Sequence, residues 1–310
     1  MSYCVILYYK YVDISNPTEE QIKQKNLASS LNLLGRILIA EEGINGTLCG
    51  TDENCEKYIE YMNENNLYKN IDFKKSRSDF MCFSKLIVKN KKEIVVLGID
   101  PKKINAKNSA KTINAKDLHE KLLNNSKNIV LFDTRNYYES RIGRFDGAIT
   151  PDIKNSREFE KYFIDNKDIF KDKEVVMYCT GGVRCERISI LLEKTGVAKS
   201  VSHLKNGICN YTEKYPDGFF KGRNYVFDDR ISIKINDVIL TNCDICNIKC
   251  DIYNNCLNAI CNKHYICCDN CIEKLNGCCS EKCFELTNRK MVQIRPPLPS
   301  RKEKIRVTLC

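Results

Sequence analysis

The chain has 310 residues, 43% hydrophobic and 29% charged, with a formal net charge of +10. That length points to two or three domains, and that composition excludes a disordered chain. No run of about 18 apolar residues exists to cross a membrane, and Tyr3–Ile14 reads as a strand rather than a secretion signal, so a soluble, cytoplasmic protein with no membrane partner is expected.

The first predicted domain spans 1–100. Val5–Val12 reads as a strand. Asn16-Pro17-Thr18-Glu19 opens a helix, with Asn16 as cap, Pro17 in the first turn and Glu19 at the capping-box position. Ile22, Leu27, Ala28, Leu31 and Leu34 form its apolar face, and Gly35 stops it. Arg36–Ala40 and Thr47–Cys49 are strands joined through Glu42-Gly43-Ile44-Asn45-Gly46. The acidic pair Glu41-Glu42 there reads as part of a plain hairpin. A helix near Glu53–Asn65 turns Cys55, Tyr58, Ile59 and Met62 inward, and Ile71–Ser76, Lys85–Lys89 and Ile94–Gly98 are further strands. The order β-α-β-β-α-β is that of the ferredoxin-like, acylphosphatase-like unit.

The second predicted domain, 112–222, alternates helix and strand. Lys116–Leu123, Arg157–Phe163 and Arg184–Thr195 are helical, the last closed by Gly196. Ile129–Phe132, Glu174–Tyr178 and Ser200–Leu204 are short apolar strands of a buried parallel sheet, so this domain is α/β. One of these strands ends at Cys179. Thr180-Gly181-Gly182-Val183 follow as a glycine-rich loop, and Arg184 lies in the helix that the loop opens. Loop N–H groups and a helix N-terminus stabilise a thiolate, and Arg184 adds a fixed cation, so Cys179 is expected to be an acidic, nucleophilic thiol. Cys185 reads as a packing residue, with a resolving thiol as the alternative.

The third predicted piece, 223–285, is cysteine-rich. Nineteen cysteines in a chain without a secretion signal argue for metal or redox chemistry, and eleven of them lie between Cys243 and Cys283. Two C-x2-C knuckles, Cys243/Cys246 and Cys268/Cys271, carry the spacing by which thiolates hold zinc. They form the plainest pairing for one site. Cys250, Cys256 and Cys261 with one of Cys278, Cys279 or Cys283 supply enough thiols for a second. His264 can replace one sulfur or sit on the surface. An iron–sulfur cluster, and disulfides or free thiols, stay open beside zinc. Residues 286–310 follow as a basic, proline-containing tail, read as flexible. Residues 69–111 carry a net +8 and residues 289–310 a net +6, while the remainder is mildly acidic, which points to a polyanionic partner, nucleic acid first.

Cys179-Thr180-Gly181-Gly182-Val183-Arg184 resembles the active loop of a rhodanese domain. Phe132-Asp133-Thr134-Arg135, Tyr138-Glu139 and Gly143-Arg144-Phe145-Asp146-Gly147-Ala148 resemble its upstream signature, with Arg144 where that family usually has histidine. The resemblance gives Asp133 and Arg135 a supporting role. The six-residue span from Cys179 to Arg184 is the length of sulfur-carrying rhodaneses, one shorter than in the related phosphatases, and implies a persulfide. Gly35-Arg36 with Glu42–Gly46, Met177–Glu186, Asn224–Arg230 and Gly277–Cys283 together resemble the rhodanese-domain tRNA uridine hydroxylase family over about residues 3–285. That resemblance implies oxygen-dependent conversion of uridine 34 of tRNA to 5-hydroxyuridine, with molecular oxygen as co-substrate and the reductant unassigned. A plain sulfurtransferase carrying a persulfide on Cys179 is the alternative. An adaptor with a vestigial rhodanese domain is a third, opposed by the intact Cys179 and Arg184. No G-x-G-x-x-G fingerprint for a flavin or nicotinamide is present.

Overall fold

The computed structural model describes residues 2–124 and 128–305. The chain divides into two compact units, Met1–Ser140 with Phe145–Phe220, and Arg141–Arg144 with Lys221–Cys310. The first predicted domain, and the second apart from residues 141–144 and 221–222, fall in the first unit.

The first unit begins with β1 (Tyr3–Tyr11), α1 (Pro17–Ser30), β2 (Leu34–Ala40), β3 (Gly43–Gly50), α2 (Asp52–Glu64), β4 (Lys74–Ser78) and β5 (Leu86–Asn90). The sheet order is β4-β1-β3-β2-β5. Its first four strands are antiparallel in the expected split βαβ arrangement, and β5 adds a parallel edge beside β2. The Asn16 side chain caps α1 through Glu19 N–H at 3.1 Å, as its sequence position requires.

Three local expectations fail. Leu27, Ala28 and Leu31 pack against the core as expected, but the inward side of α1 also buries Glu20 and Gln24, while Ile22 is 56% exposed. A polar network makes this face stable: the Tyr58 hydroxyl donates to Gln24 Oε1 at 2.5 Å, and the Gln24 amide donates to Glu20 at 2.8 Å. Asn32, at φ 50°, lies just past the C-terminus of α1, while Gly35 lies within β2. Ile94–Gly98 is no strand, because carboxylates capture its backbone. Glu42 accepts from Ile94 N–H, and Glu93 accepts from Leu97 and Gly98 N–H, at 2.8–3.0 Å. The pair Glu41-Glu42 therefore does more than turn a hairpin, since Glu42 anchors the segment that leads to the next domain.

That domain contains β6 (Lys111–Ile113), α3 (Ala115–Leu123), β7 (Ile129–Asp133), α4 (Tyr137–Ile142), β8 (Gly143–Phe145), α5 (Phe159–Asp165), α6 (Lys167–Phe170), β9 (Glu174–Tyr178), α7 (Val183–Glu193), β10 (Ser200–Leu204) and α8 (Gly207–Lys214). The sheet β6-β10-β9-β7 is wholly parallel. Strand β6 has no apolar run to announce it and is set by pairing with β10. Phe132, Phe159, Phe163, Phe170, Val175 and Met177 build the core.

The second unit holds β11 (Phe220–Tyr225) and β12 (Ser232–Lys234), sheeted with β8 in the order β12-β11-β8. The hairpin β13 (Tyr253–Asn255) and β14 (His264–Ile266) and the helices α9 (Asp269–Lys274) and α10 (Glu281–Asn288) follow. In the segment expected to be a flexible tail, residues 293–305 pack onto the rest of the unit. Ala259 N–H donates to the Gln293 carbonyl and Arg295 N–H to the Leu257 carbonyl, at 3.0 and 2.8 Å. Leu298, Arg301 and Ile305 are buried, and the Arg301 guanidinium bonds Asp269 and the Cys267 carbonyl. The tail thus contributes the apolar and cationic groups that the cysteine-rich sequence lacks. Arg306 and Cys310 lie outside the described residues.

Candidate active site and thiol clusters

Strand β9 ends at Tyr178 and delivers Cys179 to the C-terminal edge of the parallel sheet, where sites form in α/β folds. The loop then bends through Gly182, at φ 104°, into α7. Gly182 N–H donates to Cys179 Sγ at 3.1 Å, and the Arg184 and Cys185 N–H groups also favour the charged sulfur. Burial alone would raise the Cys179 pKa. The Cys185 thiol, the Arg184 guanidinium and those N–H groups outweigh it and bring the pKa down to about 5. The neighbouring Cys185 goes the other way: burial and the Cys179 charge push its thiol far up, so it stays protonated and donates. Cys179 is 1% exposed.

Arg184 does not stand alone beside the sulfur. Its guanidinium forms a fork on Glu139 at 2.5 and 2.8 Å and reaches Thr180 Oγ1 at 3.3 Å. Glu139 thereby fixes the cation, a role that its place in the upstream signature does not by itself disclose. Asp133 and Arg135 pair with each other, fully buried, through Arg135 Nε and Nη2 at 2.7–3.2 Å. The residue between them is the one that meets the site: Thr134 Oγ1 donates to the Tyr178 carbonyl at 2.9 Å and lies 3.2 Å from Cys185 Sγ.

Two further groups were not legible in the sequence. Gly207, after β10, lies so close to the loop that a Cβ would sit 2.3 Å from the Cys179 carbonyl oxygen. The next N–H groups, of Ile208 and Cys209, bond the Cys179 and Thr180 carbonyls. The second group is the β1–β4 surface. Tyr9 donates to Glu186 at 2.8 Å and Tyr11 to the Val183 carbonyl at 3.1 Å. A Cβ on Gly182 would meet the Tyr9 hydroxyl at 2.7 Å, and one on Gly181 would meet Leu7 at 3.0 Å. Lys74 lies 4.8 Å from the Tyr9 ring centroid; burial lowers its pKa, while Asp72, Cys209 and Cys179 oppose that shift. Further along α7, the buried Arg187 binds Glu93 at 2.7 Å and the Val95, Ile99 and Ile104 carbonyls.

In the second unit the thiols gather in fours. Cys243, Cys246, Cys268 and Cys271 form one group, and Cys256, Cys261, Cys279 and Cys283 the other, each with all sulfurs within 4.8 Å. Cys250 and Cys278 fall outside both, although sequence spacing placed them among the ligands; Cys278 Sγ instead lies 3.4 Å from the Thr287 hydroxyl. His264 belongs to neither group and is not a bare surface residue. Its ring stacks on Tyr253 with centroids 4.1 Å apart, and Nδ1 lies 2.8 Å from Asn255 Oδ1.

Residues 3–94 match the family described as the UPF0176 acylphosphatase-like domain, residues 114–214 the rhodanese-like domain, and residues 221–284 the rhodanese C-terminal family. A tRNA uridine(34) hydroxylase of Acholeplasma laidlawii is 41% identical over 299 residues, covering 94% of this chain and 92% of the relative. Its counterparts in Chlamydia felis and Streptococcus pyogenes are 36% identical over 291 residues and 39% over 299 residues, covering 92% and 93% of this chain and 88% and 90% of theirs. No helix among the described residues is long and apolar enough to cross a membrane. With the rhodanese-type thiol loop in place and this likeness running through both units, the chain belongs to the tRNA uridine(34) hydroxylase family.

Proposed function

We propose that this protein hydroxylates uridine 34 of tRNA at C5, in the cytoplasm, with Cys179 as the reactive group. The observation that carries the reading is an intact acidic thiol at the head of α7 in a chain alike over nine-tenths of its length to proteins of that name. The C5–H becomes C5–OH with one atom of molecular oxygen. The other atom leaves as water, taking two electrons and two protons from an external donor.

By the likeness of its loop to sulfur-carrying rhodaneses, the Cys179 thiolate would take a sulfane sulfur from a donor persulfide, its new S–S bond forming as the donor's S–S bond breaks and the donor leaves as a thiol. That sulfur would extend the reactive atom about 2 Å beyond the buried Sγ. Glu139 holds Arg184 so that its charge steadies the anion, and the loop N–H groups do the rest. Leu7 and Tyr9 flank the loop glycines and hold the loop in place. The exposed Lys69, Lys85, Lys89, Lys91 and Lys92 supply contacts to tRNA phosphates, which position the substrate without reading its sequence.

The test is mass spectrometry of tRNA nucleosides from cells with and without the gene. Loss of 5-hydroxyuridine and its derivatives is expected. Loss of a thiolated base instead would make the protein a sulfurtransferase.

A further inference from the structure

We propose that the second unit binds two zinc ions in two tetrathiolate sites that interleave along the chain. Cys243, Cys246, Cys268 and Cys271 hold one ion, and Cys256, Cys261, Cys279 and Cys283 hold the other.

Sulfur spacing carries the assignment. Zinc–thiolate bonds of about 2.3 Å in a tetrahedron place sulfurs roughly 3.8 Å apart. The Cys246–Cys268, Cys261–Cys279 and Cys279–Cys283 sulfur pairs stand at 3.6, 3.7 and 3.9 Å. Disulfide sulfurs would be about 2.05 Å apart. A polynuclear iron–sulfur cluster puts irons and sulfides between its thiolates and spreads them, whereas here four sulfurs converge on one point, twice.

The surroundings are built for charged sulfur. Cys268 N–H donates to Cys243 Sγ at 3.5 Å, and the buried Asn258 amide donates to Cys283 Sγ at 3.6 Å. Cys246 and Cys261 are each followed by an asparagine in the left-handed region, Asn247 at φ 63° and Asn262 at φ 52°. Their N–H groups bond back to the Cys243 and Asn258 carbonyls, closing each turn. Of the thiols outside the two groups, Cys267 Sγ donates to the Cys268 carbonyl, and Cys278 contacts the Thr287 hydroxyl as well as the ligand Cys256.

Chain order adds the consequence. The ligand pairs occur as 243/246, 256/261, 268/271 and 279/283, so the first and third pairs share one ion and the second and fourth share the other. Each site closes a loop that contains a ligand pair of its neighbour. Neither can open without releasing the segment that presents the other, so the ions bind and leave together, and their ligation supplies folding energy to the whole unit.

The experiment is elemental analysis of the full-length protein purified without oxygen, beside Cys246→Ser, Cys261→Ser and Cys250→Ser. Two zinc per chain are expected in the wild type and in Cys250→Ser. Each ligand variant should fall below one zinc and become sensitive to protease after residue 221. Absence of stoichiometric metal, or iron with acid-labile sulfide, would overturn the zinc assignment. A full retained zinc in Cys246→Ser or Cys261→Ser would overturn the interleaving. Should the ligand variants fail to accumulate, cobalt exchange into the wild type decides: tetrahedral thiolate bands at two cobalt per chain support the sites, and their absence refutes them.

Discussion

The loop around Cys179 and the thiol groups of the second unit use the same side chain for opposite ends. At Cys179, one sulfur faces Gly182 N–H, and the guanidinium and amides that steady it come from the next six residues. In the second unit, eight sulfurs come from four separate segments between Cys243 and Cys283 and answer to each other. In the proposed roles, the first arrangement leaves a thiolate free to react, and the second would consume thiolates in zinc ligation. Exposure runs against function in both: Cys179 is buried, whereas Cys246 and Cys261 are exposed. At Cys179 it is the supply of donors to the anion, not exposure, that favours the thiolate.

The sharpest break of that contrast is Cys179→Ser. The hydroxyl is nearly isosteric but un-ionised, so tRNA hydroxylation should fall by about three orders of magnitude or more, with thermal stability unchanged within a few degrees. Near-normal modification by the variant in cells lacking the wild type would place the chemistry elsewhere. Removal of residues 289–310 should cost the second unit about 4 kcal/mol or more, because Leu298, Ile305 and the Arg301 contacts go with it. Thermal melts with limited proteolysis read this out, and an unchanged melt would restore the view of a loose tail.

That second prediction marks where the sequence stops being legible. The active loop is contiguous, so strand, glycines, cysteine and arginine announce their own geometry. Strand β9 and the cap of α1 were readable for the same reason. The first thiol group follows the plainest pairing of the two knuckles, Cys243/Cys246 with Cys268/Cys271, but the second was not legible, because Cys250 and Cys278 have ligand-like spacing and only the path of the chain sends them elsewhere. Arg301 looked like a mobile cation until its partner Asp269 and the Cys267 carbonyl were in place. Ile94–Gly98 looked like a strand because nothing local reveals that Glu42 and Glu93 take its N–H groups.

Smaller changes tune the reactive side of the comparison. Gly182→Ala meets both a left-handed φ and the Tyr9 hydroxyl, so it should cost about 1–3 kcal/mol of stability and slow alkylation of Cys179. Wild-type stability and alkylation would mean the loop is looser than its geometry. Arg184→Met combined with Glu139→Gln removes a buried cation and its partner together. Because the cation favours the thiolate, the midpoint for Cys179 alkylation should rise from about 5 by roughly one to two units. Reactivity at pH 6 therefore drops while that at pH 9 persists. A midpoint that stays put would give the effect to the N–H groups alone. Lys74→Met should move the same midpoint upward by only a fraction of a unit, since Lys74 senses Cys179 weakly. A larger shift would make Lys74 a principal partner of the sulfur.

The most direct test is residue-resolved alkylation of the native full-length protein with iodoacetamide at pH 6, read by peptide mass spectrometry. Cys179 should be labelled first, with Cys246 and Cys261 protected until a chelator removes the metal. Labelling that follows exposure, with Cys246 and Cys261 first and Cys179 last, would contradict the account.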